Sequence, residues 1–248
     1  MKENTHVYIF GIGSGIGQGL HKRFLEDASV SLFGFSRKGE ESFQSFRDKE
    51  SGSFVFDAKN TDDLNSFRTS LFSKYGFETN TSSLPPLFSL KNIDLVVYFA
   101  LGDGVFGPVA DLGAADLKSH FDLNVHSLIL LSGAFASLLA SFRSSTFVFL
   151  GSTAGKQGFP ESVAYCASKH AVLGIARALR EEWKPFGTKV VHISLGAVAT
   201  EIWDTRPQFD KNDMVTISDI SEYLWSISHL PKSIFVDDLS ITPKKGIL

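Results

Sequence analysis

A single cysteine, Cys166, stands in the entire sequence. It excludes an internal disulfide and fits a reducing compartment. The formal net charge is only −3, so no electrostatic case arises for nucleic acid or an anionic membrane as partner. No apolar run reaches the roughly 18 residues that a spanning helix requires, and no secretory signal pattern is read at the start. The expectation is a cytoplasmic protein with no membrane and no nucleic-acid partner. The seven histidines show no metal-ligand spacing and have no cysteine partners, so no metal site is expected. Asn80-Thr81-Ser82 fits the glycosylation sequon, which carries nothing in a chain read as cytoplasmic. A phosphate loop ending in Gly-Lys-Ser/Thr is missing too. The stretch GSTAGKQ at 151–157 is one residue short of it and ends in Gln157.

Phenylalanine, by contrast, is abundant at 23 residues, and is read as core filler with some left for a pocket. Apolar runs expected as strands fall at 6–10, 30–35, 53–56, 93–99, 146–150, 189–194 and 233–236. Most are apolar throughout, as strands buried on both faces of a parallel sheet are. Helix-length patterns fill the gaps at roughly 16–27, 61–75, 114–140, 163–183 and 216–228. Such alternation predicts an α/β fold, one doubly wound parallel sheet of about seven strands with helices on both faces. No linker divides residues 1–248, so one domain is expected. The polar, proline-bearing stretch 79–92 reads as a surface connection, and 204–214 as a long loop.

Residues 11–17 read GIGSGIG, between a strand-like run and a helix-like run. Glycines in a first strand-to-helix turn let a backbone approach closely. Free N–H groups and the positive dipole end of the helix then face whatever sits there, and a pyrophosphate fits. The dinucleotide pattern G-x-G-x-x-G fails in every register, because Ile16, Gln18 and Leu20 stand where its last glycine would be. What fits is G-x-x-x-G-x-G at Gly11, Gly15 and Gly17.

A second segment carries Ser152, Tyr165 and Lys169. Tyr165 and Lys169 are four apart at the start of a long amphipathic pattern, so they share one helix face. A lysine cation beside a phenol favours phenolate and lowers the tyrosine pKa. Such a tyrosine can give a proton to a carbonyl oxygen as hydride arrives, or take one from an alcohol. Ser152 follows the strand run at 146–150, at the sheet edge that offers itself to ligands, and its hydroxyl can hold the substrate oxygen.

With Gly11, Gly15, Gly17, Ser152 and Tyr165-Cys-Ala-Ser-Lys169 in hand, the chain resembles the short-chain dehydrogenase/reductase family in its single-domain form, over nearly its whole length. The resemblance implies an NAD(P)-binding Rossmann domain and a catalytic set of Asn124, Ser152, Tyr165 and Lys169. Asn124 would hold, through its backbone, a water linked to the lysine. It implies cofactor contacts from Gly11, Gly13, Ser14, Gly15, Ile16 and Gly17, from Ala100, Tyr165 and Lys169, and from Gly196, Val198 and Thr200. Asp57 matches the position that contacts the adenine ring; alone it reads equally as a turn or helix cap. Relatives that prefer NAD carry an acidic residue after the second strand, where this chain has Ser36, Arg37 and Lys38. A carboxylate repels the extra phosphate of NADP and a guanidinium grips it, so NADP(H) is expected over NAD(H).

Three places depart from the family pattern. Phe10 stands where a threonine usually precedes the glycines. Tyr98, Phe99, Ala100 and Leu101 replace Asn-Asn-Ala-Gly, and Leu195 replaces a proline before Gly196. The first two suggest a polar brace exchanged for aromatic packing. Substrate contacts are expected from Gly102 and the segment after it, from Phe159, and from a loop around 200–215 carrying Trp203 and Phe209. Those aromatics point to a small apolar ketone or aldehyde, or the corresponding alcohol. The reading is an NADPH-dependent carbonyl reductase; a non-catalytic NADP-binding sensor or scaffold is the alternative. Family members pair their long helices, so a homodimer or homotetramer is expected, with Gly133, Ala134, Ala136, Gly174 and Ala178 allowing close approach.

Overall fold

A continuous apolar run commits the chain to β1 (Asn4–Phe10), whose last four side chains are all buried. The structure is a computed structural model that describes residues 4–76, 90–204, 206, 208–231 and 233–246. The sequon and most of the expected surface connection at 79–92 lie outside the described residues. Seven further strands follow β1: β2 (Val30–Ser36), β3 (Glu41–Ser42), β4 (Gly52–Val55), β5 (Leu90–Phe99), β6 (Phe142–Leu150), β7 (Lys189–Leu195) and β8 (Asp238–Ile241). All pair in parallel in the order β3-β4-β2-β1-β5-β6-β7-β8. The order reverses between β1 and β5. There the strand ends part and leave a crevice at the carboxyl edge.

The sheet therefore has eight strands among the described residues, against about seven expected. The two-residue β3 is too short to leave a sequence signal. The last strand is not SIFV at 233–236 but the following DLSI. Ile234 and Phe235 are instead 44% and 48% exposed. The edge position goes to DLSI because Asp238 on it receives Arg177 and Arg180 from the neighbouring helix, at 3.2 Å each.

The helices are α1 (Gly15–Leu25), α2 (Thr61–Lys74), α3 (Ala114–Phe121), α4 (Ser127–Ala136), α5 (Val163–Trp183) and α6 (Ile217–Ile227). Asn60 caps α2, its side chain accepting from the N–H groups of Asp62 and Asp63 at 2.8 and 3.4 Å. The single helix expected over 114–140 is interrupted. A π-turn at Asp122–His126 separates α3 from α4, and the Ser127 hydroxyl bonds back to the Leu123 carbonyl at 2.6 Å.

The sheet divides two unlike cores. One face carries Tyr8, Phe10, Phe35, Phe99, Phe147 and Phe149, packed with Phe67 of α2, Phe135 of α4 and Trp183 of α5. The other is mostly aliphatic, with Val7, Ile9, Val96 and Val191 against Leu20 of α1 and Leu224 of α6. The abundance of phenylalanine is thus spent largely in one layer. Phe10 is fully buried there, its ring stacked on Phe35 at 4.8 Å and Phe99 at 5.7 Å. Phe67 meets it edge-on at 5.2 Å. Tyr98 points to the opposite face and donates its hydroxyl to the Leu224 carbonyl at 2.7 Å. Packing occupies the place expected for a polar brace. The three tryptophans lie apart: Trp183 in the aromatic core at 4.7 Å from Phe147, Trp203 in a 3-10 turn, and Trp225 on α6 beneath the Arg23 guanidinium.

Candidate active site

The glycine loop closes the carboxyl end of β1. The Ala100 N–H donates to the Phe10 carbonyl at 2.9 Å, which locks the loop to the end of β5. Gly11 has φ +102°, and a Cβ there would stand 2.5 Å from the Ala100 oxygen. A Cβ on Gly17 would stand 2.2 Å from the Gly11 oxygen. Only glycine fits either place. Ser14 takes the N-cap position of α1, makes no side-chain capping bond, and no acidic residue lies in the first turn. The amide donors at this helix start are left for an anion. Ile16 packs against the aliphatic core behind the loop.

Ser36 ends β2 and is buried; its hydroxyl accepts from the Lys38 N–H at 3.1 Å. Lys38 leans over the loop, with Nζ 3.4 Å from the Gly13 carbonyl. Arg37 is exposed, and among the described residues no carboxylate pairs with it. Ser36 and Lys38 therefore flank Gly13, with exposed Arg37 between them in sequence. Asp57 follows β4 and accepts from the Lys59 N–H at 3.0 Å. That is the turn-cap role, and it leaves the second carboxylate oxygen for other work. Thr200 packs on the loop, its Cγ2 3.3 Å from where a Gly15 Cβ would lie. It sits at an N-cap position without a side-chain capping bond. The Gly196 N–H donates to the Ile241 carbonyl at 2.8 Å, and the Val198 side chain is buried in the aliphatic core.

Strand β6 delivers Ser152 and helix α5 delivers Tyr165 and Lys169 to the same edge. Gly151 is obligatory before the serine, because the ring of buried His192 stands 2.1 Å from where a Cβ would be. Ser152 accepts from the Ala154 N–H at 3.1 Å. Burial raises the Tyr165 pKa above the ordinary phenol value, and its hydrogen bond to Ser152 works the other way. This direction is opposite to the one expected from Lys169. The ammonium lies 5.6 Å from the ring centroid, and desolvation of a phenolate outweighs attraction at that distance. Lys169 is 6% exposed, and its pKa is lowered to about 8 by burial, with Asp103 opposing. Its Nζ also lies 3.4 Å from the Leu150 carbonyl.

Asn124 sits in the π-turn, fully buried beside the lysine. Its Nδ2 donates to Asp103 at 2.8 Å and to the His120 carbonyl at 2.9 Å. Its Oδ1 is buried without a hydrogen-bond partner among the described residues. That oxygen and Lys169 Nζ lie 2.9 and 3.3 Å from the position of a Gly102 Cβ. The missing side chain of Gly102, expected to meet substrate, gives room to this pair.

Asp103 and His120 belong to the same cluster and carried no sequence signal. His120 Nδ1 lies 2.7 Å from the Asp103 carboxylate, and Nε2 3.0 Å from Ser168 Oγ. Ser168 in turn donates to the Tyr165 carbonyl at 2.8 Å. Burial works against the Asp103 charge, yet hydrogen bonds from His120 and Asn124 hold its carboxyl below the ordinary range. Phe106, in the segment expected to meet substrate, lies 5.1 Å from the Tyr165 ring. Arg206, which the sequence did not single out, stacks on Phe106. Trp203 and Phe209 meet edge-on at 5.1 Å in the same loop. Phe159 is partly buried in the turn between Ser152 and α5. Cys166 is buried, and His170 is exposed, its Nδ1 2.9 Å from the Cys166 carbonyl. Among the described residues there is no group of side chains suited to a metal ion, and no helix long and apolar enough to cross a membrane.

Residues 83–211, more than half of the chain, match the family model described as short chain dehydrogenase. An NADPH-dependent 3-dehydrocapnine reductase of Ornithobacterium rhinotracheale is 28% identical over 205 residues, covering 80% of this chain and 67% of that protein. An NADPH-dependent 1-acyldihydroxyacetone phosphate reductase of Saccharomyces cerevisiae is 36% identical over 112 residues. That match covers 45% of this chain and only 37% of the yeast protein's length. A closed serine dehydrogenase complexed with NADP+ superposes with a TM-score of 0.73 at 20% identity, covering 98% of this chain and 96% of its own. At that identity the likeness is one of fold.

Proposed function

The chain belongs to the short chain dehydrogenase family of oxidoreductases, which use a nicotinamide cofactor, and from that premise we propose that it is an NADPH-dependent carbonyl reductase. The observation that carries the reading is the convergence of Ser152, Tyr165, Lys169 and Asn124 at one strand edge beside a glycine loop that admits no Cβ at Gly11 or Gly17. A binder needs the loop but not the proton-handling set. The two relatives named above are themselves NADPH-dependent reductases.

The bound cofactor supplies a hydride to the carbonyl carbon. The rest falls to the chain. The start of α1 and the glycine loop hold the pyrophosphate, and Arg37 and Lys38 hold the extra phosphate of NADP. Thr200, Gly196 and Val198 line the nicotinamide end, and Ala100 and Asp57 the adenosine side. Ser152 orients the substrate oxygen. Tyr165 gives that oxygen its proton; the high pKa imposed by burial keeps the proton in place until negative charge develops. Lys169 holds the nicotinamide ribose, and as a cation it stabilises the phenolate left behind. Asn124 and Asp103 connect the lysine to the cleft mouth for reprotonation. Residues 1–248 act as one Rossmann domain, with 200–215 as the substrate loop. Phe106, Trp203, Phe209 and Phe159 supply the apolar flank.

Ile129 and Leu130 on α4 are 50% and 53% exposed. We propose that this face, with Gly133 and Gly174, whose surroundings are open, is the one through which a dimer or tetramer forms. Sedimentation at micromolar protein tests it, and a strict monomer excludes it.

The decisive experiment has two steps. NADPH and NADH are titrated separately, following cofactor fluorescence, and a carbonyl panel is then screened with Tyr165→Phe as the blank. The reading requires tighter NADPH, turnover in the wild type, and a silent variant that still binds NADPH. Turnover by Tyr165→Phe equal to wild type removes the proton-donor role.

A further inference from the structure

One cation in the cleft has no task in the mechanism above. Arg206 lies in the substrate loop, and its guanidinium carbon is 3.7 Å from the centroid of Phe106. Phe106 is itself held from several sides. A Cβ on Gly104 would come within 2.2 Å of its ring and 3.0 Å of Ile202, so glycine is what lets the ring lie there. The Gly107 N–H donates to the Glu161 carbonyl at 2.8 Å and ties this wall to the turn that leads into α5. The Arg206 backbone is pinned in the same way: its N–H donates to Trp203 at 2.9 Å, and its carbonyl accepts from Phe209 at 3.1 Å.

The nearby acids are engaged elsewhere. Asp204 takes Lys211, Asp210 takes the Asn212 N–H, and Asp213 takes Lys245. Glu201 is turned toward the glycine loop at Gly15. Among the described residues no carboxylate pairs with Arg206. A guanidinium seated over a ring makes no hydrogen bond to it, so its N–H groups remain available to fork onto an oxyanion. The position is also informative. Phe106 lies 5.1 Å from the Tyr165 ring, so the two separations together keep the guanidinium within about 9 Å of that ring. An anion held there stands only a few bonds from a carbonyl held by Tyr165 and Ser152.

We infer that Arg206, stacked on Phe106, is an anchor for a carboxylate or phosphate on the substrate, so that the enzyme takes an acidic carbonyl compound with an apolar tail. The tail lies against Trp203 and Phe209. The inference rests on the carbonyl-reductase reading of the same cleft and narrows its substrate class.

The test separates the two. Matched ligands with one tail are used: 3-oxooctanoate and its methyl ester, then 1-hydroxyoctan-2-one phosphate and 1-hydroxyoctan-2-one. Binding is measured by calorimetry to Tyr165→Phe saturated with NADPH, so no turnover is needed. A charge-assisted pair predicts at least about tenfold tighter binding of one charged member over its neutral match. Which pair shows it tells carboxylate from phosphate. Adding Arg206→Gln should bring that ratio close to one, and Arg206→Lys should keep part of it. Equal binding of charged and neutral members in both pairs overturns the anchor, whether or not the wild type reduces any of them. So does a preference that survives Arg206→Gln while NADPH affinity falls, which would hand the arginine to the cofactor. Wild-type turnover of the same compounds reports separately on the reductase reading.

Discussion

Replacing Phe10 by threonine restores the residue that family members usually place before the glycine loop, and here it should be ruinous. The ring is fully buried and touches Phe35, Phe99, Phe56 and Phe67 at centroid distances from 4.8 to 6.0 Å. Truncating such a phenylalanine costs about 3–5 kcal/mol in lost burial and cavity. The threonine hydroxyl would then lie among rings with no acceptor, adding about 1 kcal/mol or more. A net loss of at least about 4 kcal/mol compares with total stabilities of about 5–15 kcal/mol for domains. Urea unfolding followed by circular dichroism gives the answer. With a slope near 2 kcal/mol per molar, the midpoint should fall by about 2 M. Phe10→Leu should lose far less, because it keeps apolar volume. The Phe10→Thr/Phe99→Asn double variant should lose less than the two single losses added, since the rings are in contact. A Phe10→Thr midpoint at or above that of the wild type would refute the packing argument.

Three further outcomes are expected. Arg37→Glu should weaken NADPH by about tenfold or more and leave NADH nearly unchanged, read by fluorescence titration; a uniform loss for both would show that Arg37 does not read the extra phosphate. Asp103→Asn removes the carboxylate that opposes desolvation of Lys169, so the lysine pKa drops below its value of about 8 and the alkaline limb of kcat moves to lower pH; an unmoved limb would remove Asp103 from the proton path. Asn60→Ala should cost about 1 kcal/mol by uncapping α2, with cofactor affinity intact; no change in the melting curve would mean that water replaces the cap.

The parts legible in the sequence are those with a local signal. Strands β1, β2, β5, β6 and β7 are apolar runs that would be insoluble anywhere else. The glycine spacing predicted a loop that tolerates no Cβ at Gly11 and Gly17, and the Tyr165 and Lys169 spacing predicted a shared helix face. What was illegible depends on distant partners. The composition of SIFV is more strand-like than that of DLSI, but Arg177 and Arg180 select the segment that carries Asp238. The π-turn at Asn124 adds no unusual residue to a helical pattern. Asp103 and His120 look like loop and helix polar residues until the fold brings them against Asn124 and Ser168. Arg206 and Phe106 meet only because two loops fold over one strand edge. The direction of the Tyr165 pKa is hidden from the sequence because spacing shows a neighbouring charge but not the depth of burial.

The separation of the three tryptophans makes the protein its own optical instrument. Trp183 is 1% exposed in the aromatic core and should emit at short wavelength until global unfolding. Trp225 donates its indole N–H to Asp27 at 2.9 Å and so watches the seam between α1 and α6. Trp203 alone sits in the cleft against Phe209. Substituting the other two by phenylalanine would leave one emitter at the mouth of the site, and loop closure over a ligand could be timed without an added dye.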